Sequence, residues 1–518
     1  MSKESYKAKA NSILSKAIKS VVFVDEKAAD VFTVPDMKID ENKLSVELYK
    51  GFRNLGISLS IDKFDSNKIE DKKYHDFLFK KRDLVLLDWK LDDKSGEEYS
   101  LKLLSEVVKS NNIHFCSIYT SEPDTDNIIN NIGSYFSGFD KNKYEEILED
   151  LGVYNGIDKI IDKISLDEIG SNARLYRDLI DIDSALPDEI KKLTATKNIG
   201  CALVYVKLAF MNLVASDIAL DMDIKIDRAN KILSINNTIV TIINKSDNSA
   251  SGILDKIITH LVDNDDCFMK LLGLDMQNNF SENNSFISPA VLSIDTKALL
   301  FHHDQLVKSE DPQTKEDFRF FINRILLEQT KLNLSNSKLE IIDDDFLKSL
   351  SRVDDTKEIT NDLFLLNTFY NGRILEHQNL NFGDIFFGSD NEYYLCITAL
   401  CDCLNPTDNI NNSYFFVKGV KNTNKEECLE AGEGGFKSYI SKDTCIEWTK
   451  GEYIKPFQLY IENPNITTGE LLSKRFKEGS VTNLKLEYKF TLKDNYAQRI
   501  ANHAFNHPLR VGVDFVKI

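Results

Sequence analysis

The chain has 518 residues, enough for about three domains of ordinary size, and 42% of them are hydrophobic. Its formal net charge of -18 disfavours non-specific binding to nucleic acid or to anionic membranes, so nucleic acid is not the expected main target. Its eight cysteines lack the spacing of a disulfide framework, which indicates free thiols in a reducing cytosol.

Two stretches bear on targeting. Residues Met1 to Ser20 lack the apolar core of a signal peptide. The most apolar stretch, Ile199 to Leu220, contains Lys207 and Asp217, which favours a buried core helix over a membrane span. We therefore expect a cytoplasmic protein that does not enter a membrane.

Polar side chains follow three apolar runs in the first part of the chain. Asp25-Glu26 follow the run from Val21 to Val24, Asp88 follows the run from Leu84 to Leu87, and Thr120 follows the run from Ile113 to Tyr119. Short, branched, apolar runs predict strands that are buried on both faces of a parallel sheet. The carboxyl ends of such strands meet at one edge, where ligands of open α/β sheets bind. An acid at a strand end also has a simpler explanation, because Asp favours turns.

Three carboxylates at one sheet edge would repel one another unless a cation lies between them. Asp25, Glu26 and Asp88 are therefore predicted to hold a divalent cation with oxygen ligands, and Mg²⁺ is the ion we expect. Lys27 follows the acidic pair and would neutralise part of this charge.

Residues 20 to about 142 resemble a two-component receiver domain. Asp25-Glu26 match the acidic pair of that family, Asp88 matches its phospho-accepting aspartate, and Thr120 matches its switch hydroxyl. The family also has a lysine after its fifth strand. Lys141, preceded by a weak strand pattern at 132–139, is the candidate, although the usual Lys-Pro dipeptide is missing.

A more specific resemblance is to the divergent response receiver proteins of bacterial mobile and anti-phage loci, whose neighbours often include histidine-kinase-like ATPases. The resemblance implies that Asp88 accepts a phosphoryl group from such a partner. It also implies that Asp25, Glu26 and Asp88 bind Mg²⁺, while Thr120 and Lys141 contact the phosphoryl oxygens. The implied fold is a doubly wound, flavodoxin-like parallel sheet in the α/β class.

The rest of the chain changes character twice. Residues 146–365 have mainly helical periodicity, interrupted by a predicted hairpin in which Asn236-Asn237 joins two branched runs. Residues 366–518 are β-rich, and the spacing of the strands predicts a small barrel or sandwich. We therefore predict a receiver-like domain at 1–145, a mainly α-helical domain at 146–365 and a β-rich domain at 366–518.

Two features of the β-rich region allow a site. Zn²⁺ would need four ligands, and the candidates are Cys401, Cys403, Cys428 and Cys445, which are more readily explained as buried thiols. The final helix carries Arg499, His503 and His507 at four-residue steps, so these side chains share one face. That face can bind a phosphate or act in acid–base chemistry, although such faces more often pack at an interface.

We therefore predict a response-regulator-like signalling protein that is a phosphoacceptor rather than a stand-alone enzyme. The resemblance also implies a role in anti-phage defence. One alternative is a degenerate receiver that serves as a constitutive protein-interaction module. Another is an effector enzyme, for example a nuclease, with its site in the C-terminal domain. The expected partner is a histidine-kinase-like ATPase or another protein, and a homodimer is possible.

Overall fold

A computed structural model of the chain describes most of its residues. The described residues are 3–28, 35–36, 38, 40–92, 96–109, 113–245, 249–264, 267–282, 293–307, 313–335, 337–343, 347, 359–373, 378–430, 435–448, 454–477 and 480–506. They divide into two compact units, Met1–Leu350 and Ser351–Ile518. No helix among them is long and apolar enough to cross a bilayer.

The first unit is built on a seven-stranded sheet. In chain order its strands are β1 (Ser20–Asp25), β2 (Ser58–Lys63), β3 (Leu84–Leu87), β4 (His114–Thr120), β5 (Ile224–Asp227), β6 (Ile232–Ile235) and β7 (Thr238–Asn244). The spatial order is β2-β1-β3-β4-β7-β6-β5. The strands β2, β1, β3, β4 and β7 are parallel to one another, whereas β7, β6 and β5 pair in antiparallel fashion. This order is the doubly wound one that flavodoxin-like folds share, which confirms the predicted fold class.

Helices cover both faces of this sheet. The helices of the first unit are α1 (Lys3–Ala17), α2 (Asp40–Asn54), α3 (Lys72–Phe79), α4 (Gly96–Val108), α5 (Thr125–Tyr135), α6 (Lys141–Leu151), α7 (Ile157–Ile161), α8 (Ile169–Asn172), α9 (Tyr176–Ile182), α10 (Leu186–Leu193), α11 (Ile199–Phe210), α12 (Ala250–Asp263), α13 (Phe268–Glu282), α14 (Thr296–Val307) and α15 (Gln313–Ser335). Short 3-10 turns lie at Ser66–Lys68 and Ala173–Leu175.

Alternate residues of each strand point to opposite faces of the sheet. On one face Val21 and Phe23 pack with α1, α2, α12 and α13. On the other face Val22 and Val24 pack with α3, α4 and α5. Every residue of β3 is buried because both faces are covered, which is why the sequence of β3 is a continuous apolar run.

The segment between β4 and β7 is much longer than a single crossover helix. Helices α6 to α11 form a separate core around Ile147, Leu186 and Leu203, and the β5–β6 hairpin then leads into β7. The predicted turn at Asn236-Asn237 joins β6 to β7, but β7 belongs to the main sheet, where it pairs with β4. The predicted boundary at residue 145 therefore does not separate two units, because the sheet is completed only after it.

The second unit contains a closed barrel. Its strands are β8 (Gly372–Arg373), β9 (Asp384–Gly388), β10 (Tyr393–Cys396), β11 (Ser413–Asn422), β12 (Lys437–Ser441), β13 (Thr444–Glu447), β14 (Phe457–Tyr460), β15 (Glu470–Lys477) and β16 (Ser480–Leu492). Six of them form a ring in the order β10-β9-β16-β15-β14-β11, which closes because β11 also pairs with β10. Closure removes free sheet edges and fulfils the barrel alternative of the prediction.

The helices in the described part of this unit are α16 (Thr360–Asn371), α17 (Leu400–Leu404), α18 (Pro406–Ile410), α19 (Lys425–Glu430) and α20 (Asp494–Asn506). Inside the barrel, Phe386, Tyr414 and Leu486 are fully buried. Outside it, α20 packs Ala497 and Ile500 against the other face of β9 and β10. The strands β9 and β10 thus have two apolar faces, one for each core.

Candidate functional site

The carboxyl edge of the parallel sheet brings two buried carboxylates together. Asp25 is the last residue of β1, and Asp88 directly follows β3. The two strands are neighbours, with Val24 opposite Leu87, and the Asp88 N–H donates to the carbonyl of Val24 at 3.0 Å. Asp25 has no exposed surface and Asp88 is only 8% exposed. Charged groups are this deeply buried only when a partner compensates their charge.

The partner is Lys245, which follows β7. Its Nζ lies 2.7 Å from Asp25 Oδ2 and 2.9 Å from Asp88 Oδ2, and its side chain is 13% exposed. One ammonium group therefore bridges two carboxylates in a shielded environment, where charge-assisted hydrogen bonds are strong. Lys245 has the place in the sheet that the sequence analysis assigned to Lys141.

The assignment of Lys141 to this pocket is wrong. Lys141 begins α6, where its Nζ lies 2.9 Å from Asp217 Oδ1 and 3.7 Å from Glu98 Oε1. The first half of the weak strand pattern before it is the end of α5, since the chain makes a helical insertion before it returns to the sheet. The signal that could have identified Lys245 was present, because the strongest branched run after β4 ends in Asn244-Lys245.

The backbone orients both carboxylates toward Lys245. The Lys27 N–H donates to Asp25 Oδ1 at 2.7 Å, and the Trp89 N–H donates to Asp88 Oδ1 at 2.8 Å. In each residue Oδ1 is thus held by the chain while Oδ2 faces the ammonium group. The Ser100 hydroxyl, on α4, is 2.7 Å from the carbonyl of Asp88 and ties the loop after β3 to that helix. The pocket is therefore built on rigid elements.

The electrostatics of the three groups are coupled. Burial raises the pKa of the Asp88 carboxyl to about 6; the Lys245 ammonium opposes that rise, and the charge of Asp25 adds to it. For Lys245, burial alone would lower the pKa, but the two carboxylates outweigh burial and raise the pKa above its usual value. The lysine therefore stays charged, while Asp88 is the group whose ionisation is unfavourable in this pocket.

Glu26 and Thr120 lie at the same edge but have other partners. Glu26 Oε1 is 2.8 Å from the Nζ of Lys27, so this carboxylate pairs with its chain neighbour. Thr120 is the last residue of β4 and lies opposite Asn244 of β7, directly before Lys245. Its buried hydroxyl oxygen accepts a hydrogen bond from the Glu122 N–H at 3.1 Å. Thr120 is thus next to β7, the strand that leads to Lys245, whereas Glu26 faces Lys27.

The described residues offer two carboxylates, not three, for a cation. No group of three or more His, Cys, Asp and Glu side chains is placed among them to hold a metal ion. Mg²⁺ is commonly held by one or two carboxylates and completes its shell with water and phosphate oxygens. Asp25 Oδ2 and Asp88 Oδ2 fit that pattern, since both lie within 3 Å of one point of positive charge.

The other predicted site residues belong to the second unit. Cys401 is exposed whereas Cys403 is buried, and Cys428 and Cys445 pack against Phe364 in a small apolar cluster. In the barrel unit, Arg499 and His503 of α20 both pack on the ring of Phe436, at 4.8 Å and 4.5 Å from its centroid. The third member of that predicted face, His507, lies outside the described residues.

The comparison with protein families agrees with the geometry. A family model described as "Response receiver domain" matches residues 17–168, and the remainder of the chain has no family match. Comparisons with curated proteins and with solved structures found no significant match. The matched segment supplies β1 to β4, with Asp25, Asp88 and Thr120, while β7 and Lys245 come from beyond it. We conclude that the chain carries a response receiver domain at residues 17–168, and that a later strand completes its sheet.

Proposed function

We propose that the receiver domain is switched by phosphorylation of Asp88 and that the chain relays this signal. A receiver domain supports a response-regulator-like signalling role. The observation that supports phosphorylation is the bridge from Lys245 to Asp25 and Asp88 at 2.7 and 2.9 Å. It joins a buried potential nucleophile, a second carboxylate and a fixed cation in one pocket.

The residues have distinct roles in this proposal. An oxygen of the Asp88 carboxylate attacks the phosphorus of a phosphohistidine or a small phosphoramidate, and an acyl phosphate forms as the P–N bond breaks. The leaving nitrogen takes up a proton. Lys245 shifts from the carboxylates to the phosphoryl oxygens, and the Thr120 hydroxyl gains a phosphoryl oxygen as a partner. The gain of charge at Asp88 then favours a rearranged surface at this edge of the sheet.

Asp25 and Asp88 would hold Mg²⁺, with water in its other positions. The ion would neutralise the charge of both carboxylates and of the phosphoryl oxygens. Lys245 and a cation would compete for the same two oxygens before phosphorylation, because Oδ2 of each carboxylate is already bonded to the ammonium group. This competition predicts weak Mg²⁺ binding until a phosphoryl group provides further oxygen ligands.

The test is labelling of the chain with phosphoramidate and Mg²⁺, read as the acid-stable, hydroxylamine-sensitive fraction that an acyl phosphate gives. Wild type should be labelled and Asp88→Asn should not. Lys245→Met should lose most of the label, whereas Lys141→Met, the same substitution in the exposed ion pair, should leave it unchanged. Labelling of Asp88→Asn at the level of wild type would overturn the proposal, as would equal effects of the two lysine variants.

The phosphoryl donor in the cell would be a histidine-kinase-like ATPase. The partner would dock at the carboxyl edge of the sheet, where α4 and the residues after β3 surround Asp88. Transfer of label from an autophosphorylated kinase of the same locus to wild type, but not to Asp88→Asn, would support this. A role in anti-phage defence is tested by plaque counts on cells that carry the locus with either form.

A second candidate function is docking without phosphorylation. It is favoured by the ion pairs already present in the pocket: Lys245 bridges Asp25 and Asp88, which leaves one net negative charge, while Glu26 pairs with Lys27. In that case partner binding would be the same for wild type and Asp88→Asn, with and without phosphoramidate. A change in partner affinity on labelling, confined to wild type, would exclude constitutive docking.

Self-association through α14 and α15 is the interaction we propose for the chain itself. These helices contact each other through His302 on Phe321 and His303 on Phe318, with ring centroids 4.5 and 4.9 Å apart. Eight of their apolar side chains are exposed, namely Leu299, Leu300, Phe301, Phe321, Ile322, Leu326, Leu327 and Leu332. At roughly 100 Å² each they present about 800 Å², the area that one partner contributes to a standard interface.

A second copy is the occupant that fits this surface. Two antiparallel helices cannot bury apolar residues on several faces, and two such pairs related by a two-fold axis form a four-helix bundle. The sequence of α14 and α15 holds five basic and four acidic residues, so the two copies would meet at a nearly neutral surface although each chain carries -18. This near neutrality removes most of the repulsion that two acidic chains would otherwise meet.

A further inference from the structure

A large groove lies at the opposite edge of the same sheet, away from Asp25 and Asp88. Its volume is about 940 Å³. It is lined by residues at the amino ends of β3 and β4, by the carboxyl ends of α1, α3 and α4, and by α13. Clefts of 300 to about 1,000 Å³ are the size that small ligands occupy in proteins. The receiver pocket plays no part in this groove.

Basic residues outnumber acidic ones in the groove, in a chain whose net charge is -18. The basic residues of the lining are Lys16, Lys19, Lys80, Lys81, Arg82 and Lys109, and the acidic ones are Asp76, Asp83 and Glu106. Lys16 and Lys109 are bound in ion pairs with Glu340 and Glu106. Asp83 Oδ2 accepts from the backbone N–H groups of Lys19 and Ser20, so it is used to hold the chain. The Nζ of Lys19 donates to the carbonyl of Ser15, which leaves Lys80, Lys81 and Arg82 as three consecutive cations at the groove.

Arg82 is the least expected of these residues. Its Nε is buried and has no hydrogen-bond partner among the described residues, although the residue as a whole is partly exposed. Arginine is rarely withdrawn from water without an acceptor, because an unpaired buried donor costs about 1 to 3 kcal/mol. Its planar donors are matched to phosphate and carboxylate groups. Arg82 also lines the groove and is partly exposed there, so its guanidinium can meet an acceptor from outside the chain.

Lys81 gives an independent indication. Its φ of 60° lies in the left-handed region, which a lysine rarely adopts. Strained backbone of this kind clusters at binding sites, where the surrounding structure over-determines it. Here it turns the chain between α3 and β3 so that three consecutive cationic residues border one groove.

Helix ends explain some of the charge but not this triplet. The carboxyl ends of α1 and α4 attract cations through their dipoles, which accounts for Lys16 and Lys109 near those ends. The same reasoning favours a cation just after α3. It does not account for a buried guanidinium nitrogen without an acceptor, nor for a lysine in the left-handed region.

The lining of the groove also includes apolar and aromatic side chains. These are Phe79, Ile113, Leu274 and Phe280, and Phe280 is 47% exposed. A ligand that satisfies both kinds of lining carries phosphate-like negative charge together with a flat apolar group. Nucleobases stack on aromatic side chains with about 1 to 3 kcal/mol per base. We infer that this groove binds a nucleotide, with its phosphates at Lys80, Lys81 and Arg82 and its base on the exposed ring of Phe280.

The test is calorimetric titration of the full chain with ATP, AMP, adenosine and pyrophosphate, in EDTA so that the carboxylate pocket binds no magnesium nucleotide. ATP should bind more tightly than AMP, and adenosine or pyrophosphate alone should bind at least tenfold more weakly than ATP. Arg82→Gln should weaken ATP binding at least tenfold. Arg53→Gln removes the same charge from an exposed site outside the groove and should change nothing.

Two further variants separate the parts of the site. Lys80→Gln alters an exposed side chain, so it keeps the fold even if Arg82→Gln does not, and it should weaken ATP and pyrophosphate alike. Phe280→Ala should weaken ATP but not pyrophosphate. Absence of saturable ATP binding to wild type would overturn the inference, as would ATP binding that Lys80→Gln and Arg82→Gln leave unchanged. Pyrophosphate binding as tight as that of ATP would overturn the assignment of a nucleotide.

Discussion

Replacement of Asp88 by Asn should stabilise the first unit when no metal is present. The carboxyl group has its pKa raised from 3.8 to about 6, mainly by burial, so its charged form is disfavoured in the folded state. A shift of about two units corresponds to about 3 kcal/mol at a pH well above 6. Asn has nearly the same shape and keeps an acceptor for the Trp89 N–H, but it carries no charge. We therefore expect Asp88→Asn to raise the free energy of unfolding by up to about 3 kcal/mol at pH 8.

The raised pKa of Asp88 also determines how the stability difference between the two proteins changes with pH. A carboxyl whose pKa is raised on folding stabilises the folded state below its unfolded pKa, and that contribution disappears as the pH rises through the folded value. Wild type should therefore lose stability relative to Asp88→Asn between about pH 4 and pH 6. The difference between the two proteins should be largest at pH 8 and about half as large at pH 5. Mg²⁺ should narrow the difference at pH 8, because it stabilises only the form with a charged Asp88.

The assay is urea unfolding in EDTA, followed by the fluorescence of Trp89. Trp448, which lies in the second unit, is replaced by Phe in every protein, so the signal reports the first unit alone. Asp181→Asn serves as the control, since it removes the same charge from an exposed site of that unit and should change stability by less than about 0.5 kcal/mol. An Asp88→Asn protein no more stable than wild type at pH 8 would refute the electrostatic reasoning.

Three more outcomes are expected in the same assays. Lys245→Met should destabilise the first unit by about 3 kcal/mol or more, because it leaves two buried carboxylates facing each other. Lys141→Met should lower the stability by less than about 1 kcal/mol. Similar losses of stability in both variants would contradict the assignment of Lys245 to the pocket. Burial lowers the pKa of His260, so stability should fall as the pH drops below about 6.5, and His260→Gln should flatten that fall when unfolding is measured from pH 7.5 to 5.5. Ile322→Asp should convert a dimer to a monomer in sedimentation experiments, whereas Val153→Asp, at another exposed apolar site, should not; a dimer that survives Ile322→Asp would exclude this surface.

Local patterns were sufficient for much of the first unit. The runs of β1, β3 and β4 are buried on both faces, and such strands are recognised in a sequence as short, mostly apolar stretches. Asp25 and Asp88 could be placed together because neighbouring parallel strands end at one edge, and that rule needs no knowledge of distant residues. The barrel could be expected from strand spacing, although spacing alone did not distinguish it from a sandwich.

The tertiary structure alone decided which lysine completes the pocket. The sequence offers two lysines for this place, Lys141 after a weak strand pattern and Lys245 after a strong branched run. The shorter distance along the chain from Asp88 favoured Lys141. Pairing between β4 and β7 overrides that distance, because the helices from α6 to α11 form a core of their own and return the chain to the sheet edge. The orientation of Glu26 toward Lys27 likewise depends on side-chain geometry and not on spacing.

The sequence by itself determined where the acidic strand ends lie, because burial and strand periodicity are local properties of the chain. Only the tertiary structure determined the cation that neutralises them and the basic groove at the opposite edge. Both depend on contacts between residues far apart in sequence, such as Lys245 with Asp25 and the lining shared by Arg82 and Phe280. Such contacts depend on the pairing of β7 with β4 and on the packing of α13. Neither can be predicted from a local sequence pattern.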